Sequence, residues 1–562
     1  MIHYKKIVYG AGQEYETLPK HLIRLFLYCS LFPLGYEFGK EEMVQLWIAE
    51  GFIEDRHRME DTGCEYFRSL VSVEFIQLSR YDYSVDFYSY LSDEFDSNGG
   101  TGKLLYKVNE ALASHLKKAI SEGSYQSLLG DKLDGASELT LHLSLPCESI
   151  NDQMVIEALK RCTNLRTLLL LSGCGYNVKQ VPRDLFLGLK LLRTLNLSRT
   201  LISELPSSIG NVKSLRYLDV SNTHIRRLPE SIDCLSNLQT LKLRGCLDFV
   251  ALPKNMKKLT NLRHLELDIV RQLISMPNRI GNLTNLQTLS AFLVGRDDEC
   301  GIEELKNMND LCGTFCISRL ERVSSLDKAK EAALKDKMYL HKLELRWSDI
   351  RVVNPGEEEE ILESLRPHLR LREIQILFYG GIKIPIWICD PSFADLVSIT
   401  LYKCSNCEFL PSLGDLPSLK FLFIREMNEV KKIDQQFCRN GSDKGFAKLE
   451  KLEINVMLSL EKWIGVENGD LPVLCKLTVE YLPELIALPS LSCLNSLEHL
   501  EIKHCSNLQC LPNEGLPTSL EFLLIKDCPE LKERCCKEEG LDWGKIEHVP
   551  NIWIDHQEIS SS

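Results

Sequence analysis

Residues 215–243 read "LRYLDVSNTHIRRLPESIDCLSNLQTLKL" and hold two copies of the pattern L-x-x-L-x-L. The first copy begins at Leu215 and the second at Leu238, and further copies begin at Leu262 and Leu286, about 24 residues apart. The alternating leucines predict a short strand with one buried and one exposed face. The residues between two copies carry further apolar side chains, which would wrap the return segment into the same core.

The same pattern continues through most of the chain. Clear later copies begin at Leu396, Leu419, Leu449, Leu474, Leu497 and Leu520, and weaker copies begin at Leu165, Leu192, Leu311, Leu340 and Leu371. This is the signature of the leucine-rich repeat, in which stacked copies share a core that no single copy can bury alone. We predict an α/β repeat solenoid, a leucine-rich-repeat horseshoe with a parallel concave sheet, over residues 124–540, and a C-terminal tail over 541–562.

Composition restricts the possible functions. The chain has 562 residues and a formal net charge of -13, so it is not expected to bind nucleic acid or anionic membranes through a broad positive field. The first residues show no secretory signal, and no stretch reaches the roughly 20 apolar residues of a membrane span. The 21 cysteines are an odd number and are scattered along the chain. We therefore predict reduced thiols and a cytoplasmic location.

A C-x-x-C pair raises the possibility of a metal site. Cys404 and Cys407, in "KCSNCEFLP" (403–411), have the spacing of half a zinc site. Alignment of the repeats explains them differently, because Cys404 occupies a position just after the strand where other copies also carry cysteine. The cysteines at this position are Cys174, Cys246, Cys404, Cys505 and Cys528. Cys407 occupies the place of an apolar residue, and we predict structural cysteines and no metal.

One segment resembles a phosphate-binding loop. The stretch "NGGTGKLL" (98–105) contains a Gly-Lys pair, but Ser97 replaces the first glycine of the motif and Leu104 stands where a hydroxyl must bind magnesium. No hydrolase, metalloprotease or kinase motif set appears elsewhere. We predict that the chain is not an enzyme.

Residues 16–123 do not follow the repeat. "PKHLIRLFLYCSLFP" and "GKEEMVQLWIAEGFI" have the apolar spacing of helices, and a third helix runs into a strand in "EDTGCEYFRSLVSVEFIQLSR". These patterns predict a small, mainly helical domain with a possible hairpin. Residues 1–15 are interpreted as a linker or the remnant of a preceding domain.

The motifs of this domain carry a family resemblance. "YCSLFP", "LWIAEGFI" and "GCEYFRSLVSVEFIQ" resemble the winged-helix segment of plant intracellular immune receptors, the coiled-coil NLR disease-resistance proteins. The L-x-x-L-P repeats and the ending "LKERCCKEEGLDWGKIEHVPNIWID" resemble the same family's repeats and tail, so the resemblance covers nearly the whole chain. It implies that the repeats recognise a pathogen effector or a guarded host protein. It also implies that the winged helix belongs to a switch operated by ADP and ATP.

Two departures from the family pattern concern the nucleotide. The sequence begins just before the winged helix, so the family's phosphate loop and magnesium-binding aspartates are not expected in it. The family's Met-His-Asp motif falls on Val108, Asn109 and Glu110. Asn109 is thus a degenerate candidate for cofactor binding, which offers an amide in place of an imidazole. We expect no bound cofactor in this chain alone.

Two other functions remain open. A winged helix can bind DNA, but "GKEEMVQLWIAEGF" offers only Lys40 against Glu41, Glu42 and Glu50. A cell-surface receptor ectodomain is the other possibility, because three triplets fit the pattern for N-linked glycosylation. They begin at Asn196, Asn282 and Asn440.

The side chains between the leucines should project from the concave sheet, the usual binding face of a solenoid. In the earlier repeats these are Arg216, Tyr217, Asp219, Lys242 and Arg244, and in the later ones Lys420, Phe421, Phe423, Arg425, Lys476, His499 and Lys503. We predict that a protein partner docks there, with Phe421 and Phe423 as hot spots. The Arg and Lys stripe predicts a partner with acidic patches.

Overall fold

The computed structural model describes residues 19–53, 58–82, 103–109, 125–127, 136–146, 152–171, 178–268, 273–296, 300–439 and 444–560. The chain divides into two compact units, residues 1–289 and 290–562. In each unit the largest sheet is built from the strands of successive repeats. Among the described residues, no helix has the length and apolar character needed to cross a membrane.

The first unit begins with helices and a small antiparallel sheet. The helices are α1 (Lys20–Cys29), α2 (Lys40–Glu50) and α3 (Met59–Ser72), and the sheet has the order β1-β3-β2, with β1 at Phe38–Gly39, β2 at Ile76–Asp82 and β3 at Lys103–Val108. Two glutamates in the first turn of α2 suit the positive end of the helix dipole. Gly51 ends this helix with a φ of 75°, a left-handed conformation that glycine adopts without strain. The sheet confirms the hairpin that the sequence suggested.

The repeats of the first unit form a parallel sheet. Its strands are β4 (Tyr125–Ser127), β5 (His142–Pro146), β6 (Thr167–Leu171), β7 (Thr194–Asn196), β8 (Tyr217–Asp219), β9 (Thr240–Lys242), β10 (His264–Glu266) and β11 (Thr288–Leu289). The return segments contain α4 (Asp152–Arg161), α5 (Leu185–Gly188) and short 3-10 helices at Ser207–Asn211, Glu230–Cys234, Met256–Lys258 and Ile280–Asn282. Strands β4 and β5 precede the first copy that the leucine pattern identifies, at Leu165.

The second unit continues the repeat with longer strands. Its main sheet contains β12 (Ala291–Leu293), β13 (Cys312–Ser318), β14 (Tyr339–Arg346), β15 (Glu373–Leu377), β16 (Ser398–Tyr402), β17 (Phe421–Arg425), β19 (Lys451–Asn455), β21 (Lys476–Glu480), β22 (His499–Lys503), β23 (Phe522–Lys526), β24 (Asn551–Ile554) and β25 (Gln557–Ser560). Only β24 and β25, which lie in the segment interpreted from sequence as a tail, pair antiparallel. A separate parallel pair joins β18 (Lys432–Ile433) and β20 (Lys462–Trp463).

The return segments of the second unit are short helices. They are α6 (Leu326–Glu331), α7 (Pro355–Ser364), α8 (Gln435–Cys438) and α9 (Pro529–Arg534), with 3-10 helices at Ile302–Asn307, Leu320–Arg322, Leu334–Asp336, Ile386–Cys389, Leu413–Asp415 and Trp543–Lys545. The strand leucines stack in register, as where Leu422 lies between Ile399 and Leu452, and all three are buried. The parallel sheets and the shared leucine core confirm the predicted leucine-rich-repeat solenoid.

A left-handed residue follows most strands of the second unit. It turns the chain from the sheet into the return segment, and in most of these repeats it is not glycine. The residues with this conformation after β15, β16, β17, β19, β21, β22 and β23 are Phe378, Lys403, Glu426, Val456, Tyr481, His504 and Asp527, with φ between 51° and 61°.

Candidate partner-binding surface

We define the concave face as the side of each sheet onto which the residues between the buried leucines project. In the first unit, parallel pairing aligns one such residue from each strand into a row. The row consists of His142, Thr167, Thr194, Tyr217, Thr240, His264 and Thr288. Hydroxyl and imidazole groups predominate in it, so this row can form hydrogen bonds along much of its length.

The end of α2 contacts this row. The Glu50 carboxylate is buried and accepts hydrogen bonds from the hydroxyls of Thr167 at 2.6 Å and Thr194 at 2.7 Å. Burial raises the pKa of Glu50, and the two threonine hydrogen bonds only partly oppose this. The Tyr28 hydroxyl of α1 also lies 3.5 Å from the Thr167 hydroxyl. The helical domain therefore covers the concave face of the first repeats.

In several repeats the residue before the row position is an arginine, and two of these arginines add to the same contact. Arg193 donates to the Glu50 carbonyl at 2.7 Å. Arg263 holds Glu60 of α3 through two hydrogen bonds of 2.6 Å, and the His264 ring lies 3.1 Å from the same carboxylate. Burial opposes the charged form, but the hydrogen bonds from His264 and Arg263 outweigh it and hold the pKa of Glu60 well below its usual range.

This contact occupies residues that the sequence assigned to an external partner. Tyr217 is fully buried in the core that the helices share with the repeats, and Arg216 donates to the Ala49 carbonyl at 3.5 Å. Asp219 is buried and accepts a hydrogen bond from the Tyr217 hydroxyl at 3.2 Å. The prediction treated the concave face as open along its length, and the chain's own helical domain fills this part of it.

Lys242 and Arg244 are engaged as well. The Lys242 amine lies 3.5 Å and the Arg244 guanidinium 3.3 Å from the carboxylate of Glu266, which also accepts a hydrogen bond from Gln45 of α2 at 3.2 Å. Lys242 is buried, whereas Arg244 keeps part of its side chain in solvent. Of the five residues predicted in the first unit, Tyr217, Asp219 and Lys242 are therefore buried by the chain itself, while Arg216 and Arg244 are engaged but partly exposed.

The register predicted for β17 in the second unit agrees with the structure. Leu422 and Ile424 are fully buried in the repeat core, while Phe421 and Phe423 project onto the concave face. Phe421 is half-buried and Phe423 is 9% exposed, because neighbouring side chains pack against it. The Lys451 amine lies 5.2 Å and the Arg425 guanidinium 6.0 Å from the centre of the Phe423 ring. Both distances allow cation–π attraction.

The predicted basic residues of this unit have carboxylate partners. Lys476 and Lys503 each contact a different oxygen of the Glu501 carboxylate, at 2.5 and 2.8 Å. Burial opposes this charge, but the two lysines lower the pKa of Glu501. Arg425 forms an ion pair with Glu453.

Lys420, which precedes β17, pairs with Glu450 at 2.6 Å, and His499 packs its ring 5.7 Å from that of Phe522. The positive stripe in the sequence is therefore largely neutralised by carboxylates of the same and neighbouring repeats.

Two aromatic residues that the sequence-based prediction did not include extend this surface. Phe378 and Tyr402 pack edge to face at 5.4 Å, just after β15 and at the end of β16. The Arg346 guanidinium and the Lys403 amine lie 5.4 and 5.7 Å from the Phe378 ring. A sequence signal for them exists. In two consecutive repeats an aromatic residue immediately follows the last leucine of the strand, in "LFYG" (377–380) and "LYKC" (401–404). We call Phe378, Tyr402, Phe421 and Phe423 the aromatic patch.

Asn109, the degenerate candidate for cofactor binding, has a structural role in the described part of the chain. The Asn109 backbone N–H donates to the Phe75 carbonyl at 3.0 Å, and its side-chain amide donates to the Glu74 carbonyl at 3.1 Å. Asn109 thus ties the end of β3 to the turn between α3 and β2. Glu110 lies outside the described residues. Residues 103–105 of the false phosphate loop begin strand β3, and residues 98–102 lie outside the described residues.

The cysteines that share the position just after the strand are buried in the core wherever the structure describes them. The thiols of Cys246, Cys404 and Cys528 each lie 3.1 to 3.8 Å from a carbonyl oxygen at the end of the preceding repeat's strand. Cys407 is also buried, with its thiol 3.2 Å from the Gly381 carbonyl. Cys174 lies outside the described residues. Where the structure describes the chain, no group of three or more His, Cys, Asp or Glu side chains is arranged to hold a metal ion.

Family models match three parts of the chain. Residues 31–92 match the disease resistance protein winged helix domain, residues 163–225 a leucine rich repeat model and residues 302–427 the R13L1/DRL21 leucine-rich repeats. The chain is also 37% identical over 523 residues to the putative disease resistance RPP13-like protein 1 of Arabidopsis thaliana, covering 88% of this chain and 47% of that protein. This chain belongs to the NLR disease-resistance proteins.

Another NLR relative is the disease resistance protein RGA2 of Solanum bulbocastanum, 35% identical over 493 residues, which cover 86% of this chain and 46% of that protein. The chain therefore spans about half the length of the curated relatives it matches. Among solved structures, a leucine-rich-repeat protein of Leptospira interrogans is 20% identical, covering 76% of this chain and 99% of that one with a TM-score of 0.44. The winged-helix model identifies the helical domain of the first unit.

Proposed function

We propose that this NLR chain is the recognition part of an intracellular plant immune receptor. In this proposal the concave face of the second unit binds a pathogen effector or a guarded host protein in the cytoplasm, without catalysis. The aromatic patch carries the proposal, because aromatic side chains and arginines are enriched among binding hot spots. Tyr402 and Phe421 keep part of their rings in solvent, while Phe378 and Phe423 are nearly buried beside them. The disease-resistance names of the relatives support the biological setting.

The winged-helix domain belongs, in the same proposal, to the ADP- and ATP-dependent switch of the family. Asn109 donates its amide to a backbone carbonyl, so it contributes little to a phosphate site. We expect this chain alone to bind ADP no tighter than about micromolar, near -8 kcal/mol. Calorimetric titration with ADP measures this, and tighter binding would show that the winged-helix domain holds a nucleotide by itself.

The test of recognition is a two-hybrid screen of the full chain against a panel of pathogen effectors and host proteins, followed by measured affinities. Replacing both Phe421 and Phe423 with Ala should weaken an effector bound at this face at least about 30-fold, the equivalent of 2 kcal/mol. Phe409 provides the matched control, because it is 65% exposed but lies outside the concave strands. An effector that binds the Phe421/Phe423 variant and the Phe409→Ala variant equally well does not use the aromatic patch.

The two alternative functions receive less support. A DNA-binding winged helix needs an accessible recognition helix, but residues 43–50 of α2 are all buried. A glycosylated ectodomain needs accessible acceptor asparagines, but Asn196 is buried and bonded to the Ser198 backbone at 2.8 Å. Asn282 is exposed, and Asn440 lies outside the described residues.

A further inference from the structure

The loop between β14 and α7, residues 348–354, exposes two apolar side chains almost completely. Ile350 is 94% exposed and Val352 is 97% exposed. A single exposed apolar residue is ordinary on a protein surface. Here two such residues, Ile350 and Val352, flank Arg351, which is buried and ion-paired. If the loop is held in place, the two side chains form a defined apolar contact point.

Arg351, between the two exposed residues, holds the loop. Its guanidinium is buried and pairs with the carboxylate of Glu358 on α7 at 3.0 and 2.7 Å. The same guanidinium donates to the Phe378 carbonyl at 2.6 Å. Because an arginine–carboxylate pair of this kind has two parallel hydrogen bonds, it fixes orientation as well as distance.

Neighbouring residues are held as well. The Ser348 hydroxyl donates to Glu321 at 2.5 Å, and the Asp349 carboxylate pairs with Lys403 at 2.8 Å. Val353 packs closely on Gly380, where an added Cβ would lie only 2.3 Å from the valine side chain. The residues around Ile350 and Val352 are therefore anchored, so a partner that buries these two side chains would order little additional backbone.

Helix α7, which follows the loop, adds a row of negative charge. Glu357, Glu360 and Glu363 are exposed and spaced three residues apart, so they follow one side of the helix. No ion pair to these three is found within the described residues. With a rise of 1.5 Å per residue, the row extends about 9 Å along the helix. Glu358 and Glu359 instead bind the chain itself, at Arg351 and at the Ile382 N–H.

We propose that Ile350, Val352 and the acidic side of α7 form a second docking surface, which binds a basic amphipathic segment of another protein. Apolar side chains of that segment cover Ile350 and Val352. Its lysines or arginines, three or four residues apart on a helix, pair with Glu357, Glu360 and Glu363. This surface uses residues outside the aromatic patch and goes beyond the proposed recognition function.

A synthetic peptide with an apolar stripe of leucines and a flank of lysines is the probe. Fluorescence anisotropy measures its binding to the full chain at low and at high salt. Replacing Ile350 and Val352 with Ser should weaken binding at least about tenfold. Replacing Glu357, Glu360 and Glu363 with Gln should weaken it similarly at low salt and flatten the salt dependence. All five side chains are exposed, so both variants should keep the melting curve of the parent chain.

Two controls separate this surface from general attraction to an acidic chain. Leu541 is 79% exposed and lies before β24, so Leu541→Ser should leave binding unchanged. A scrambled peptide of the same composition, which lacks the apolar stripe, should bind the parent chain no better than it binds the Ile350/Val352 variant.

The proposal is overturned if the Ile350/Val352 variant binds the probe like the parent chain, even when the Gln variant is weaker. It is also overturned if Leu541→Ser causes an equal loss or if the scrambled peptide binds equally well. The Phe421/Phe423 variant should bind the probe normally, so a failure of this surface and a failure of the concave-face proposal give different results.

Discussion

Leu422 and Phe421 are neighbours in β17 and face opposite sides of the sheet. Leu422→Ala should lower the free energy of unfolding by about 2 to 5 kcal/mol, because it opens a cavity in the shared core. Phe421→Ala should lower it by less than about 1 kcal/mol, because its ring is only half-buried. Urea denaturation of the two variants measures the difference. A larger loss for Phe421→Ala than for Leu422→Ala would place the phenylalanine in the core and contradict the register.

Substitution of the two glutamates at the winged-helix contact should change stability by different amounts. Glu60→Gln removes the charge that Arg263 and His264 hold, and the loss of charge-assisted hydrogen bonds at this partly buried position should cost about 1.5 to 3 kcal/mol. Glu50→Gln removes a charge whose burial is unfavourable, and the threonine hydroxyls can still donate to the amide oxygen. Its effect should stay within about 1 kcal/mol. Thermal melts of the two variants measure this contrast, and equal losses would contradict it.

Acid should weaken the same contact through Glu60. Its pKa is depressed in the folded chain, so its stabilisation is complete above the ordinary pKa of about 4.3. The stabilisation decreases as the pH falls below that value toward the depressed one. Urea midpoints measured between pH 6 and pH 3 should therefore fall more steeply for the parent chain than for Glu60→Gln. Parallel curves would show that this carboxylate does not link stability to pH.

At the scale of the element, the residue after each strand determines how the chain leaves the sheet. Val456 takes a φ of 51° at this point, a conformation that is strained for a β-branched side chain. Val456→Asn should raise stability by about 0.5 to 1 kcal/mol, because asparagine tolerates the left-handed region and Val456 is only half-buried. Urea midpoints measure the effect, with Val479→Asn in a fully buried strand position as the destabilising control. A loss for Val456→Asn would show that its packing outweighs the strain.

The leucine spacing was sufficient to predict the strands and their register. Side chains alternate between the two faces of a strand, so an apolar residue at every second position can be buried only if that face packs on the core. The pattern did not identify β5, because Thr140 takes the place of its first leucine, although Leu143 and Leu145 pair in register with Leu168 and Leu170. It also could not reveal that β24 and β25 extend the final sheet. It also could not show that Tyr217 is covered, because burial there depends on helices more than 160 residues earlier in the chain. The ion pairs of Lys476 and Lys503 were not apparent because Glu501 contacts them across neighbouring strands and within its own.

At the scale of the whole molecule, each repeat contacts mainly its neighbours, so a local defect should stay local. Leu422→Ala should increase hydrogen exchange in β16, β17 and β19, while β6 to β9 of the first unit keep the exchange rates of the parent chain. Exchange measured by mass spectrometry on peptides from both units tests this. A uniform increase in both units would mean that the chain unfolds in one cooperative step.

The two units also differ in what their concave faces can offer. In the first unit, part of the concave face is covered by the chain's own winged-helix domain, through the Glu50 and Glu60 contacts. The aromatic patch of the second unit is held by strand pairing and by cations over two of its rings. Recognition of a partner should therefore depend on residues beyond position 290, and substitutions at Tyr217 should act on folding.

The buried cysteine positions make this chain suitable for labelling without removal of its native thiols. Burial raises the pKa of Cys535 to about 12, so this thiol stays protonated and inert at neutral pH, while its neighbour Cys536 is exposed. Cys234 is the exposed thiol of the first unit within the described residues. Among the described cysteines, a maleimide dye pair should therefore react first with Cys234 and Cys536, and energy transfer between the dyes would report the separation of the units in solution.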